Sequence, residues 1–130
     1  MDSQAVLVLG NHANTELAEI LSRFGFVPQV WGSMRHSLDK LRHQQFGAVL
    51  VDRKFTRADV LEFVLNVRDI DKKVPVLVIG SGPEEIDREI ARQRRTAILA
   101  AVRDGDELTD RLRDIVKQNE DRDMPTQLQR

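Results

Sequence analysis

Short apolar runs alternate with amphipathic stretches along the whole of this chain. Ala5–Leu9 is a continuous apolar run of strand length, followed by Gly10-Asn11. Helical spacing begins near Asn14 and places Leu17, Ile20, Leu21 and Phe24 on one face, with Gly25 where helices stop. Val27–Trp31 predicts a second, less apolar strand, which Pro28 assigns to a sheet edge because proline cannot donate to a ladder. Ser33 is placed to cap a helix carrying Leu38 and Leu41. Residues 48–51 predict a third strand, which stops on Asp52.

The pattern then repeats. Thr56-Arg57-Ala58-Asp59 resembles a capping box, with Asp for the usual Glu or Gln, opening a helix that turns Val60, Leu61, Val64 and Val67 inward. Residues 74–79 predict a fourth strand, and Pro83 starts a helix with Glu84 and Glu85 in its first turn. Residues 97–102 predict a small-residue fifth strand. Asp104 and Glu107 form a capping-box-like start for a helix bearing Leu108, Leu112, Ile115 and Val116. From Gln118 the chain turns polar, so residues 1–117 are expected to form the domain and 118–130 a tail or linker.

Strands that are apolar throughout and alternate with helices imply a parallel sheet covered on both faces. Right-handed crossovers restrict the topology, and a doubly wound, flavodoxin-like α/β fold with strand order 2-1-3-4-5 is expected.

Composition narrows the chemistry. With 20 basic and 21 acidic side chains, the net charge of −1 supplies no field for nucleic acid or an anionic membrane. The absence of cysteine excludes disulfides and thiol or thiolate chemistry. The apolar runs are too short to cross a bilayer, and no signal-peptide pattern opens the chain, so a cytoplasmic protein is expected.

The strand that stops on Asp52 is the most informative feature, because open α/β sheets gather their chemistry at the carboxyl edge. From Asp52 to Arg68 the chain resembles the third strand and third helix of bacterial response-regulator receiver domains. Asp59, Leu61, Glu62 and Arg68 keep the family register, and Pro75 falls where the family has proline. The resemblance spans roughly residues 5–117 and implies Asp52 as phosphoacceptor.

The partners that such an Asp requires are replaced. The two acids that hold Mg²⁺ in the family match Gly10 and Asn11. The Ser or Thr that bonds the phosphoryl group matches Gly80, with Ser81 one residue late. The family lysine matches Ala101 and the proline after it Val102, while Thr56 and Val60 replace the Pro and Gly of the third loop. Each lost charge-assisted contact is worth about 1–3 kcal/mol. Little or no Mg²⁺-dependent phosphorylation is therefore expected, and no cofactor. Arg53, Lys54 or Arg103 could substitute charge, and His12 or Asn14 could reach the pocket; otherwise Arg53 and Lys54 are solvated loop residues.

The expected function is that of an atypical receiver: a protein-interaction and dimerisation module of a transcription or signalling regulator, joined to an output domain or partner. The fourth helix has only Ile86 and Ile90 as an apolar spine. With the fifth strand and helix it is expected to offer Ile86, Arg88, Ile90, Arg92, Asp106, Asp110 and Arg111 for an isologous homodimer contact. Two alternatives are a working phosphoacceptor at Asp52 and a flavodoxin-like domain binding a small ligand or nucleotide through the loops after Leu9 and Ile79. No nucleophile–base pair, and hence no enzyme, is evident, and direct DNA binding is not expected.

The remaining features have ordinary readings. Gly80-Ser81-Gly82-Pro83 could form a phosphate nest, but Glu84 and Glu85 would repel the anion, leaving a flexible loop. The basic residues Arg88, Arg92, Arg94, Arg95 and Arg103 interleave with Glu84, Glu85, Asp87 and Glu89, as on a solvated face. His36 and His43, two helical turns apart, are too distant to share a metal unaided. Trp31 is expected to be half buried.

Overall fold

Strand β3 (Ala48–Asp52) occupies the centre of a five-stranded parallel sheet in this computed structural model. It is flanked by β1 (Ala5–Leu9) and β4 (Val76–Ile79), with β2 (Val27–Trp31) and β5 (Thr96–Leu99) at the edges. The strand order is 2-1-3-4-5, as expected, and Pro28 lies in an edge strand. The structure describes residues 5–11, 16–56, 59–102 and 104–123, with the backbone alone for 116–123.

Alternation along each strand sends side chains to two separate cores. Leu7, Leu9, Val49, Val51, Val76 and Val78 pack with α2 (Met34–His43), α3 (Val60–Ile70) and α4 (Glu84–Arg92) through Leu38, Leu41, Phe63, Val64, Val67 and Ile90. Val6, Val8, Leu50, Leu77, Ile79 and Leu99 face the other way. They pack with α1 (Glu16–Arg23) and α5 (Gly105–Asp123) through Leu17, Leu21, Leu108, Leu112 and Ile115. Both faces are covered, which is why β1 from Val6 to Leu9, β3 from Ala48 to Val51 and β4 from Val76 to Ile79 are apolar at every position.

Helix ends follow their local chemistry. The Ser33 hydroxyl accepts the His36 N–H at 3.1 Å. Gly25, at φ +95°, lets the Phe26 N–H return to the Leu21 carbonyl at 2.9 Å and closes α1. Asn14, where helical spacing begins in the sequence, lies outside the described residues, as do Arg57 and Ala58.

Four expected boundaries move. The cap of α3 is Asp59, whose carboxylate accepts the Glu62 N–H at 3.1 Å, not Thr56. Residues Arg53–Phe55 form a 3₁₀ turn capped by Asp52, so α3 cannot begin until that turn is complete. Phe63, absent from the expected inward face, is fully buried in the core, whereas Leu61 is only partly buried. Strand β4 starts at Val76, because Pro75 has no N–H and the Val74 N–H donates to Asp71. Strand β5 ends at Leu99, whose carbonyl accepts the Gly80 N–H; Ala100 and Ala101 beyond it are exposed. The backbone of α5 continues past Gln118 to Asp123.

Arg68 ties down the turn into β5. Its guanidinium donates to the carbonyls of Arg94 (2.9 Å), Arg95 (3.1 Å) and Asp71 (3.0 Å), securing Arg95 at φ +52°. Burial lowers the Arg68 pKa from its ordinary value.

Candidate functional site

Asp52 stands at the carboxyl end of the central strand and is only 8% exposed. Its Oδ1 accepts the Lys54 N–H at 3.2 Å, and the carboxylate makes no other hydrogen bond among the described residues. Burial pushes the carboxyl above its ordinary range, against the opposing pull of the Lys54 backbone N–H and ammonium. Gly10 is buried beside it: a Cβ on Gly10 would stand 3.4 Å from the Asp52 Cβ. Asn11 is exposed.

Asp52 opens into a cavity of about 270 Å³. The walls come from α1 (Glu16, Leu17, Ile20), the 3₁₀ turn (Lys54, Phe55), the end of β4 (Ile79, Gly80) and the β5–α5 connection (Ala100, Ala101, Val102). Ala101 and Gly80 therefore line the same cavity as the acid, and they bring to it neither a charge nor a hydroxyl. Ser81 is exposed and does not line the cavity. Lys54 lines it, but the Lys54 ammonium lies 5.5 Å from the Phe55 ring centroid. His12, Asn14 and Arg103 lie outside the described residues. Among the described residues, no three His, Cys, Asp or Glu side chains converge as a metal would require.

Arg53 behaves differently from its neighbour Lys54. It is not a solvated loop residue: only 12% of its side chain is exposed. The guanidinium crosses to α4, pairing with Asp87 at 2.6 Å and donating to the Gly80 carbonyl at 2.9 Å. The second Asp87 oxygen accepts the Gly82 N–H at 3.0 Å. The Arg53 bond holds the Asp87 carboxyl below its ordinary range, and the Gly82 N–H adds to the effect. The β4–α4 loop is thus tied from both ends, where a flexible loop was expected. Its Gly82 N–H serves Asp87, so it is not open to an external phosphate.

The backbone of that loop also explains its glycine. Gly80 has φ +110°, and a Cβ there would meet the Arg53 Cβ at 3.0 Å. A serine or threonine at this position would be strained by its backbone and crowded by Arg53. The hydroxyl expected in the family is disfavoured by this local geometry as well as absent from the sequence.

The expected contact face divides. Ile90 is fully buried and so does not contribute to the expected dimer contact, and Ile86, partly buried, packs against the core; the two anchor α4. Arg88, Arg92, Asp106 and Asp110 are exposed, and Arg111 is partly exposed. Arg88 pairs with Glu84 at 3.3 Å and Arg92 with Glu89 at 3.0 Å, so α4 carries a mixed, solvated face. His36 and His43 are exposed. Trp31 is half buried, with the Lys40 ammonium 5.9 Å from its ring centroid.

The five parallel strands ordered 2-1-3-4-5, with helices on both faces, make the flavodoxin-like fold that receiver (CheY-like) domains share. Solved receiver structures superimpose on the chain accordingly. A receiver domain protein from Methanospirillum hungatei is 14% identical, with a TM-score of 0.81, covering 93% of this chain and 99% of its own. The receiver domain of a sensor histidine kinase from Pseudomonas aeruginosa, which holds magnesium in its active-site cleft, is 16% identical, with a TM-score of 0.74 and coverage of 89% and 99%. The beryllofluoride-activated NtrC4 receiver domain, a dimer in solution, is 16% identical, with a TM-score of 0.75 and coverage of 89% and 98%. No family model matches the chain, and no curated protein matches it in sequence.

Proposed function

We propose that this chain is an atypical receiver domain of a cytoplasmic signalling or transcription regulator, working through protein contact rather than Mg²⁺-dependent phosphoryl transfer. The observation that carries this reading is the state of the Asp52 cavity. In-line phosphoryl transfer to a carboxylate needs cations around the incoming oxygens. Here the acid shares its cavity with Gly80 and Ala101 and sits beside Gly10, and among the described lining residues Lys54 is the one cation, its ammonium lying over the Phe55 ring. Burial favours its neutral form, the opposite of what a nucleophilic carboxylate requires. The domain is not an enzyme on this reading.

The output would be a partner protein or a linked domain, with neither nucleic acid nor membrane bound directly. A homodimer through α4, β5 and α5 would use Arg88, Arg92, Asp106, Asp110 and Arg111, exchanging the pairs inside α4 for pairs across a two-fold axis. The NtrC4 receiver dimer is a precedent for association by this fold.

A phosphoacceptor at Asp52 is the second reading, favoured by the placement of the acid on the open edge of the sheet. Incubation with acetyl phosphate and Mg²⁺, followed by intact-mass measurement, separates the two. An unmodified mass is expected. A phosphoryl adduct that disappears in Asp52→Asn overturns the proposal.

A further inference from the structure

The two edges of the sheet differ in what their main chains present. Along a strand, the N–H and C=O of one residue address one neighbour and those of the next residue address the other side. Gly10 donates to the Trp31 carbonyl at 2.9 Å, so Trp31, Gln29 and Val27 address β1 and leave Pro28 and Val30 on the outer side of β2. Pro28 has no N–H, which guards that edge against an added strand.

Strand β5 is the other edge. Val76 donates to the Arg95 carbonyl at 2.9 Å and Gly80 to the Leu99 carbonyl at 2.8 Å. Arg95, Ala97 and Leu99 therefore address β4, and the main-chain groups of Thr96 and Ile98 face outward. Neither residue is a proline, and no described residue bonds the outward N–H or C=O of either. Thr96, Ala97 and Ile98 are partly exposed, whereas Val76, Leu77 and Val78, their register partners in β4, are buried.

Such an edge is complementary to itself. Two copies of β5, antiparallel about a two-fold axis at Ala97, place Thr96 opposite the second copy's Ile98 as a hydrogen-bonded pair on either side of the axis. Ala97 then stands opposite its own counterpart, and its small side chain admits the close approach of a non-hydrogen-bonded pair. Because the axis is perpendicular to the sheet, α4 comes to lie antiparallel beside the second copy's α4, and α5 beside α5 on the other face. The first turn of α4 carries Glu84 and Glu85 and its last turn Arg92, so the antiparallel helices set acidic ends against basic ones. A free peptide added to so short a strand would bring no helices with it, which makes a second copy the fitting occupant.

We propose that this chain forms a two-fold homodimer by antiparallel pairing of β5 with β5, so that a single sheet runs through both copies. The inference rests on the homodimer reading above and specifies how that dimer is built. The main chain of Thr96 and Ile98 makes the central contact, and the charged residues of α4 and α5 form its rim.

The chain has no cysteine, so single-cysteine crosslinking reports one position at a time. Opposed Cα atoms of a non-hydrogen-bonded antiparallel pair lie about 4.5 Å apart, within the span a disulfide bridges. Ala97→Cys should oxidise to a covalent dimer at least about tenfold faster than Val27→Cys on the exposed start of β2, because pairing raises its effective concentration. Sedimentation velocity over a concentration series should show a reversible dimer of the unaltered chain. Thr96→Pro removes the outward N–H and leaves the ladder to β4, as Pro28 does on the other edge. It should raise the dissociation constant at least about tenfold with the far-UV spectrum retained.

A monomer at every concentration overturns both the pairing and the homodimer. A dimer undiminished by Thr96→Pro, or one in which Ala97→Cys crosslinks no faster than Val27→Cys, overturns the pairing and leaves a dimer built on helices. If Thr96→Pro does not fold, the two cysteine rates decide.

Discussion

Arg53 and Asp87 form a nearly enclosed ion pair, 2.6 Å apart, that fastens the end of β3 to the first turn of α4. Side-chain exposures of 12% and 21% separate it from the surface pairs Arg88–Glu84 and Arg92–Glu89. Surface pairs contribute little, whereas breaking a mostly buried pair strands a charge. Arg53→Ala should therefore cost about 1–3 kcal/mol in urea unfolding. It should also raise amide exchange between Gly80 and Arg88. Arg53→Lys should not restore stability, because one ammonium cannot span both the Gly80 carbonyl and Asp87. Gly82→Ala should act in the same direction, since its Cβ would stand 2.7 Å from the Arg53 Nη2. A double-mutant cycle with Asp87→Asn that gives no coupling would remove the pair from the stability of the fold.

Asp87 also sets an acid limit. Its folded pKa is depressed by Arg53, so its contribution is present above the ordinary carboxylate pKa. That contribution is lost as pH falls from this value through the depressed one. The loss should be missing from the acid unfolding curve of Asp87→Asn.

Asp52 has the opposite sign. Its folded pKa is raised, so the folded state holds the proton more tightly than the unfolded chain. Stability from this group falls as pH rises from the ordinary carboxylate pKa through the raised folded value, and it stays low above that. Asp52→Asn, which keeps an oxygen for the Lys54 N–H, should gain about 0.5–2 kcal/mol at pH 7, a range common where a functional site is relieved of strain. The gain should shrink toward acid pH. A thermal melt at pH 7 and pH 4 checks both parts.

Phe63 is the largest fully buried side chain of α3, packed between the sheet and α2. Phe63→Ala should cost about 3–5 kcal/mol, enough to jeopardise folding at this size. Equilibrium unfolding measures it.

Arg68→Ala should cost about 2–3 kcal/mol by leaving the carbonyls of Arg94, Arg95 and Asp71 without their charged donor. Amide exchange should rise first at Thr96 and Val76, whose N–H bonds to the Arg95 carbonyl. A loss spread evenly over the sheet would contradict this assignment.

Much of this architecture was legible in the chain. The apolar runs beginning at Ala5 and Ala48 are unmistakable as strands, since a parallel sheet covered on both faces demands unbroken hydrophobicity. Strand order followed from crossover handedness and from Pro28 at an edge. The cap of α3 was misplaced because Thr56 and Asp59 both satisfy the same local rule, and only the 3₁₀ turn decides between them.

The acid could be named from the strand that stops on it, but Gly10, Gly80 and Ala101 could be named as its neighbours only through the resemblance to receiver domains. The pairing of Arg53 with Asp87 could not, because it joins residues 34 positions apart through side-chain reach rather than periodicity. One clue was present. Residues 49 and 51 face the core that α4 covers, and position 53 continues that parity. Phe55 and Glu16 as cavity walls carried no comparable signal.

The same parity gives the sheet edge its sidedness. Asp52 follows Ala48 and Leu50 toward the α1–α5 side, while Arg53 follows Val49 and Val51 toward α4. Between a carboxylate that faces an inlet and a guanidinium that grips a helix lies one planar peptide bond. Consecutive side chains of a strand point to opposite faces, so a single residue step separates the cavity wall from the helix clamp. The end of β3 thus serves both sides of the sheet with consecutive letters of the sequence.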